Sequence, residues 1–238
     1  MSAILNIVII VISIIILYVL IKLITSSSTL ASETSGTETK VIQASSLPAG
    51  RSTVNFTYSI WFFVNDWNYR YGETKIIYGR LDQNKEPGPL ITLSPMENNL
   101  VVSMAVYASS QKSASNTGKV NVHKCTVTNI PIQKWVNLTL SVYGRSIDIY
   151  LDGKLVKTCV LPGVPKVNAS SDMYLTPEGG FSGKTTKFQY WNTSKNPQEV
   201  WKIYREGNGS SLLGGIFDKY KLKFSLLENN KEKSSISI

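Results

Sequence analysis

The sequence predicts an all-β fold, an antiparallel sandwich with one short helix, preceded by an N-terminal transmembrane helix. Three observations carry this. Apolar and polar residues alternate with period two in run after run, an Asp-Gly dipeptide separates two such runs, and one stretch alone combines helical spacing with helix-capping residues. Composition agrees: 238 residues, 42% hydrophobic and 10% aromatic, are enough for one packed core. One His and two Cys exclude zinc fingers, disulfide-dense mini-folds and any mechanism that needs two histidines.

Ile4 to Ile21 form an apolar run broken only by Asn6 and Ser13, with no charge until Lys22. A helix of roughly 20 residues spans about 30 Å of hydrocarbon and satisfies its backbone polar groups internally. Residues 1–24 therefore read as a membrane anchor, with the lipid bilayer as the partner of residues 4–21. A cleaved signal peptide is the rival, but no basic residue precedes the run, which also exceeds the usual h-region of about 7 to 15 residues. Lys22 favours a cytosolic C-terminal domain. The five Asn-x-Ser/Thr sequons at Asn55, Asn137, Asn168, Asn192 and Asn208 would matter only in a lumenal one, so topology stays open.

Residues 25–46 are rich in Ser and Thr and poor in large apolar residues, which reads as a flexible stalk. The folded domain is assigned to residues 47–238, with its core in 48–227 and a polar tail after it. In its first strand Val54, Phe56, Tyr58, Ile60, Phe62 and Val64 share one face. Trp61 and Phe63 interrupt the polar face opposite, so this strand is covered on both sides or carries aromatics outward. Further strands are expected at Lys75 to Arg80, Leu90 to Leu93, Leu100 to Tyr107, Val120 to Val127 and Trp135 to Tyr143.

Ser146 to Leu151 and Lys154 to Leu161 flank Asp152-Gly153, the pair that best tolerates the positive φ angles of a type I′ hairpin turn. A regular two-residue hairpin sets Asp148 opposite Lys157 and Ile149 opposite Val156. The helix begins at Asn196 as N-cap, with Pro197 at its first position and Glu199 completing a capping-box pattern. Val200, Ile203 and Tyr204 form its apolar face and Gly207 ends it. Beyond it Tyr220, Leu222, Phe224 and Leu226 alternate with polar residues as a last strand, and the tail after Glu228 frays or returns as an edge strand.

The segments Phe56-Thr57-Tyr58-Ser59-Ile60-Trp61-Phe62-Phe63, Ile130-Pro131-Ile132-Gln133-Lys134-Trp135-Val136-Asn137-Leu138 and Ile149-Tyr150-Leu151-Asp152-Gly153-Lys154-Leu155-Val156 follow one another in a familiar order. Together with Gly180-Phe181-Ser182-Gly183, Phe188-Gln189-Tyr190-Trp191-Asn192 and the helix, they resemble the concanavalin A-like lectin/glucanase superfamily in its laminin G-like, pentraxin-like branch. The resemblance covers about residues 48 to 210 and implies a jelly-roll β-sandwich. The segments Asp66-Trp67-Asn68-Tyr69-Arg70-Tyr71-Gly72-Glu73 and Lys157-Thr158-Cys159-Val160-Leu161-Pro162-Gly163-Val164 are similar to membrane-anchored proteins of giant DNA viruses of algae and protists. That similarity implies a virion or virus-factory membrane protein, structural in the capsid or displayed for attachment.

Glycoside hydrolysis on such a fold needs two carboxylates flanking the bond, and the family's Glu-x-Asp-x-x-Glu cluster is absent. Glu73, Glu86, Glu97 and Glu178 stand isolated, so no catalytic residue is assigned and no enzyme is expected. No cofactor or metal site is assigned. Some laminin G-like domains bind calcium at their rim, for which Asp66, Asp82, Asp152 and Asp172 are the candidates, the alternative being a turn former and solvated loop residues. Trp67, Tyr69, Arg70 and Tyr71 are the candidate ligand-binding residues, offering aromatic faces and hydrogen bonds to a sugar or protein, unless they simply seal a loop. Cys125 and Cys159 form a disulfide if their strands are neighbours and are otherwise two buried thiols. The net charge of +9 is spread without a run of five basic residues, so no nucleic acid is expected. The stripe Lys219, Lys221, Lys223 suits an anionic surface. The partners this reading leaves are the bilayer, capsid or membrane proteins, and glycans.

Overall fold

The computed structural model describes residues 11–18, 20, 29–47, 54–107, 120–209, 223–228 and 231–237. The strands in chain order are β1 (Thr29–Ala31), β2 (Thr34–Ser35), β3 (Lys40–Ile42), β4 (Phe56–Asp66), β5 (Lys75–Leu81), β6 (Pro87–Leu93), β7 (Leu100–Tyr107) and β8 (Val120–Val127). There follow β9 (Trp135–Tyr143), β10 (Ser146–Leu151), β11 (Lys154–Val160), β12 (Met173–Leu175), β13 (Ser182–Trp191), helix α1 (Pro197–Arg205), β14 (Lys223–Glu228) and β15 (Lys231–Ser237). Two antiparallel sheets result. One runs β1-β13-β4-β9-β10-β11 with β2 also on β13, and the other runs β3-β12-β5-β6-β7-β8.

The period-two alternation explains what lies between the sheets. Phe56, Tyr58, Ile60, Phe62 and Val64 of β4 are buried, opposite Val142, Leu140, Leu138 and Val136 of β9. The other sheet supplies Ile77, Tyr78, Ile91, Leu93, Leu100, Val102 and Met104 to the same core. Tyr58 meets Tyr78 across the gap with ring centroids 5.6 Å apart, and Phe188 of β13 packs against both. Such jigsaw packing makes any large truncation here costly, about 3–5 kcal/mol for Phe62→Ala.

The outward face of β4 is also covered. Trp61 is buried outside the main core and stacks on Tyr204 of α1 at 5.5 Å. Beside it lies a polar layer: Thr57 Oγ1 donates to the Thr193 carbonyl (2.8 Å), Asn137 Nδ2 and Thr139 Oγ1 donate to Ser59 Oγ, and Ser141 Oγ exchanges hydrogen bonds with both backbone groups of Lys195 (2.9 Å each). These side chains look like a solvent face in sequence. They are buried because the segment leading into α1 supplies partners for the Thr57 and Ser141 hydroxyls, while Ser59, Asn137 and Thr139 bond one another.

α1 starts and packs as its sequence dictates. Asn196 Oδ1 accepts from Glu199 N and Glu199 Oε2 accepts from Asn196 N, both at 2.9 Å, and Val200 and Ile203 are buried. The Asp152-Gly153 turn has φ +49° and +74°, the double positive φ of a type I′ turn. The register beyond it departs from expectation. A bulge at Val156 pairs Ile149 with Lys157 and Asp148 with Thr158. Asp148 Oδ1 therefore accepts from Thr158 Oγ1 (2.6 Å), and Lys157 Nζ reaches Thr126 O of β8 (2.7 Å).

The segment 25–46, read as a flexible stalk, contributes β1 and β2 to β13 and β3 to β12, so the folded unit begins well before residue 47. Its few apolar residues are placed to be buried: Ala31 and Ile42 both join the core. Thr and Ser suit an edge strand whose partner provides the backbone hydrogen bonds. β12 and the full length of β13 likewise carry too little alternation to be read as strands.

Of the expected membrane span, residues 11–18 are helical with Val11, Ile12, Ile14, Ile15, Ile16, Leu17 and Tyr18 exposed, whereas residues 4–10, 19 and 21 lie outside the described residues. No helix among the described residues is long and apolar enough to cross a membrane. At the other end, β14 and β15 pair with each other as a two-stranded sheet and not with the sandwich sheets. Residues 220–222 of the expected last strand, with Lys219, lie outside the described residues.

Candidate functional site

The loop after β4 contains the four residues singled out as a recognition patch. The fold uses three of them internally. Trp67 packs against the core, and Tyr69 OH donates to Gly179 O at 3.0 Å. Arg70 donates to Glu178 O and pairs with Glu73 at 2.6 Å. Tyr71 is 59% exposed. The loop is thus sealed onto residues 178–179, and of the four only Tyr71 stands exposed.

Beneath it sits Lys75, 1% exposed. Its Nζ lies 5.0 Å from the Trp67 ring centroid, and neither Nζ nor Trp67 Nε1 has a hydrogen-bond partner among the described residues. Burial, reinforced by Arg70 and opposed by Glu73, holds the Lys75 pKa below the ordinary lysine value.

A second feature lies at the turn between β5 and β6. Asp82 Oδ1 accepts from the backbone of Asn84 and Glu86 at 2.9 Å each, and Oδ2 accepts from Lys166 Nζ at 3.0 Å. Lys166 also bonds Glu86, so one ammonium bridges two carboxylates. Burial raises the Asp82 carboxyl pKa, but the donors from Glu86, Lys166 and Asn84 outweigh it and leave it below the usual range. Lys166 is shifted upward by the same contacts, first Glu86 and then Asp82. The backbone joins Lys166 to β7: Lys166 N donates to Ala105 O (2.8 Å) and Tyr107 N to Val164 O (3.0 Å).

These residues line a depression of about 390 Å³ with Asp82 and Lys166 in it, the amides of Asn84 and Asn168 around it, and Tyr107, 49% exposed, at its edge. A fixed carboxylate, amide groups and an exposed aromatic ring match the hydroxyls and apolar faces of a sugar. Sequence reasoning named Asp82 only as a calcium candidate and placed Tyr107 at a strand end. The Asp-Gln-Asn turn and a tyrosine ending an apolar strand were the available signals, but their proximity depends on the 164–168 segment.

The other calcium candidates are scattered. Asp66 Oδ1 accepts from Asn68 N, Asp152 Oδ1 from Asn137 N, and Asp172 Oδ1 from Ala44 N. Among the described residues no three His, Cys, Asp or Glu side chains converge as a metal site would require. Cys125 and Cys159 are joined as a disulfide with Cα atoms 6.4 Å apart, tying the edge strand of one sheet to that of the other.

The family model of the concanavalin A-like lectin/glucanases superfamily matches residues 35–201. The chain belongs to that superfamily. The match begins within the segment that forms β2 and β3, in agreement with their place in the sandwich. Similar solved structures include the receptor binding domain of the botulinum neurotoxin C/D mosaic serotype, at 10% identity and TM-score 0.54, covering 74% of this chain and 42% of that one. The HCR/D F1240A mutant is similar at 12% identity and TM-score 0.54, over 73% of this chain and 42% of that one. The HCR/D W1238A mutant is similar at 10% identity and TM-score 0.52, with 74% and 42% covered. These likenesses concern the fold, and this chain spans less than half the length of each. No curated protein matches the sequence.

Within this superfamily, hydrolysis requires one carboxyl that stays protonated to donate to the leaving oxygen. Asp82 and Glu86, the two carboxylates held together here, share Lys166, and the lowered Asp82 pKa keeps it ionised. Asp82 so held accepts hydrogen bonds and is not the protonated donor.

Proposed function

We propose that this protein is a non-enzymatic, lectin-like attachment module, held to a bilayer by residues 4–21 and displayed by a giant-virus particle or virus-factory membrane. The depression at Asp82, Asn84, Tyr107, Lys166 and Asn168 carries the binding part of this reading. Its carboxylate is fixed by backbone donors before any ligand arrives, so binding costs little reorganisation. The apolar N-terminal run supports the anchor, and the resemblance of the 66–73 and 157–164 segments supports the viral setting.

A glycan-array screen of the full chain in detergent micelles, with and without calcium, tests it. Saturable binding that Asp82→Ala and Tyr107→Ala each abolish, and that Tyr71→Ala leaves intact, is the expected result. Silence from a folded chain would overturn the lectin-like reading in favour of an architectural capsid or membrane role. Any shortened chain has to begin ahead of Thr29, because β1 to β3 belong to the sandwich.

A further inference from the structure

Helix α1 presents a second surface, on the outer side of the seven-stranded sheet and away from the Asp82 depression. Trp201 is 43% exposed although its ring packs on Tyr204 at 5.4 Å. The helix rests on the hairpin turn so closely that a Cβ on Gly153 would lie 2.8 Å from Trp201 Cε3. Leu155, 50% exposed, is the cross-strand partner of Tyr150, and Val156, 44% exposed, stands at the bulge beside it. Tyr150 and Trp61 are buried but outside the inter-sheet core, on the face that α1 covers, so Leu155 shares that face with the helix.

Charge around these apolar residues is one-sided. Glu199 pairs with Lys195, Glu206 with Lys187 and Asp152 with Lys134, so the acidic groups here are neutralised from within. Lys202 and Arg205 are exposed and make no ion pair among the described residues. Trp201, Lys202 and Arg205 line a shallow depression of about 510 Å³ with Gln198, Glu199 and Glu206.

We propose that this face, Trp201, Leu155 and Val156 with Lys202 and Arg205, docks the sandwich onto an anionic lipid bilayer. An indole with a wet edge and an apolar body belongs at the boundary between headgroups and acyl chains. Basic side chains beside it meet the negative surface of the leaflet, each strengthening binding about fivefold near the membrane. The depression is shallow and its unpaired basic groups, Lys202 and Arg205, are exposed, which fits a plane of headgroups better than a single sugar. Docking would lay the domain against the membrane, and release would leave it to reach outward.

The test uses the full chain mixed with vesicles of phosphatidylcholine alone or with phosphatidylserine, both containing bromine-labelled acyl chains that quench tryptophan on contact. Expected are quenching on the phosphatidylserine vesicles, little on the neutral ones, and loss of the difference in Trp201→Phe. Lys202→Gln with Arg205→Gln is expected to weaken docking about twenty-five-fold, and high salt to reverse it. Equal quenching on both vesicles, or quenching unchanged in either variant with the circular dichroism preserved, overturns the proposal. So does binding of an acidic protein or glycan without acyl-chain quenching. The membrane anchor of the proposed function is read separately: if residues 4–21 insert, the chain sediments with both vesicle types, and if they do not, it sediments only with the anionic ones. The Trp201 signal decides docking in either case.

Discussion

Lys75 Nζ stands 5.0 Å from the centroid of the Trp67 ring, a buried ammonium whose one visible partner among the described residues is an aromatic face. The β4–β5 loop closes over it and is fixed by Tyr69 to Gly179. Trp67, Tyr69 and Arg70, three of the four residues expected to face a ligand, make internal contacts in this loop, and Tyr71 stays exposed.

Lys75→Met is therefore expected to stabilise the protein by about 1 kcal/mol, an uncompensated polar group costing about 1–3 kcal/mol less about 1 kcal/mol of cation–π attraction. The pH sign follows from the lowered pKa. The unfolded chain holds the Lys75 proton to higher pH than the folded one, so the penalty is full at low pH and fades as pH rises toward about 10.4. Urea unfolding of both proteins across that range should show the advantage of Lys75→Met shrinking at alkaline pH; a constant or growing advantage would refute the account.

Gly153 combines φ +74° with no room for a side chain. Gly153→Ala adds backbone strain of about 1 kcal/mol and pushes α1 off the hairpin, for a total loss of about 2–3 kcal/mol. Asn196→Ala, which removes only the cap, should cost about 1 kcal/mol. Chemical denaturation ranks the two, and a Gly153→Ala loss no larger than that of Asn196→Ala would mean that the helix yields freely.

The Cys125–Cys159 bond closes a loop with a sequence separation of 34. On the chain-entropy model Cys125→Ser with Cys159→Ser lowers stability by about 3–4 kcal/mol. Thermal melts with and without reductant should give the same loss in the wild type and none in the double variant.

Asp82 has its pKa lowered by folding, so it contributes stability above the ordinary carboxylate range and loses it as pH falls through the folded value. Glycan binding in the Asp82 depression is expected to be flat through neutral pH and to fail only in that acid range. Asp82→Asn keeps the shape but loses the charge that holds Lys166, and should abolish binding while leaving Tyr107 exposed. A titration near neutrality would point to a different group.

The sequence by itself determined what depends on neighbours along the chain. β4, β7, β8 and β9 follow from alternation, the hairpin turn from Asp152-Gly153, and the start of α1 from Asn196, Pro197 and Glu199, because each needs only the local backbone and its nearest side chains. Tertiary structure decided whatever depends on residues far apart. β1 to β3 exist as strands because β12 and β13 offer them free edges, and Thr57 and Ser141 are buried because the 193–195 segment supplies partners for their hydroxyls. The bulge at Val156 shifts Lys157 from Asp148 to Thr126 on another sheet. The Asp82 depression is assembled from a turn, a strand end and the 166–169 segment, whose contact no local pattern announces. A period of two marks which residues alternate, but both faces of a strand are alike in sequence when each is covered, and only the packing says by what.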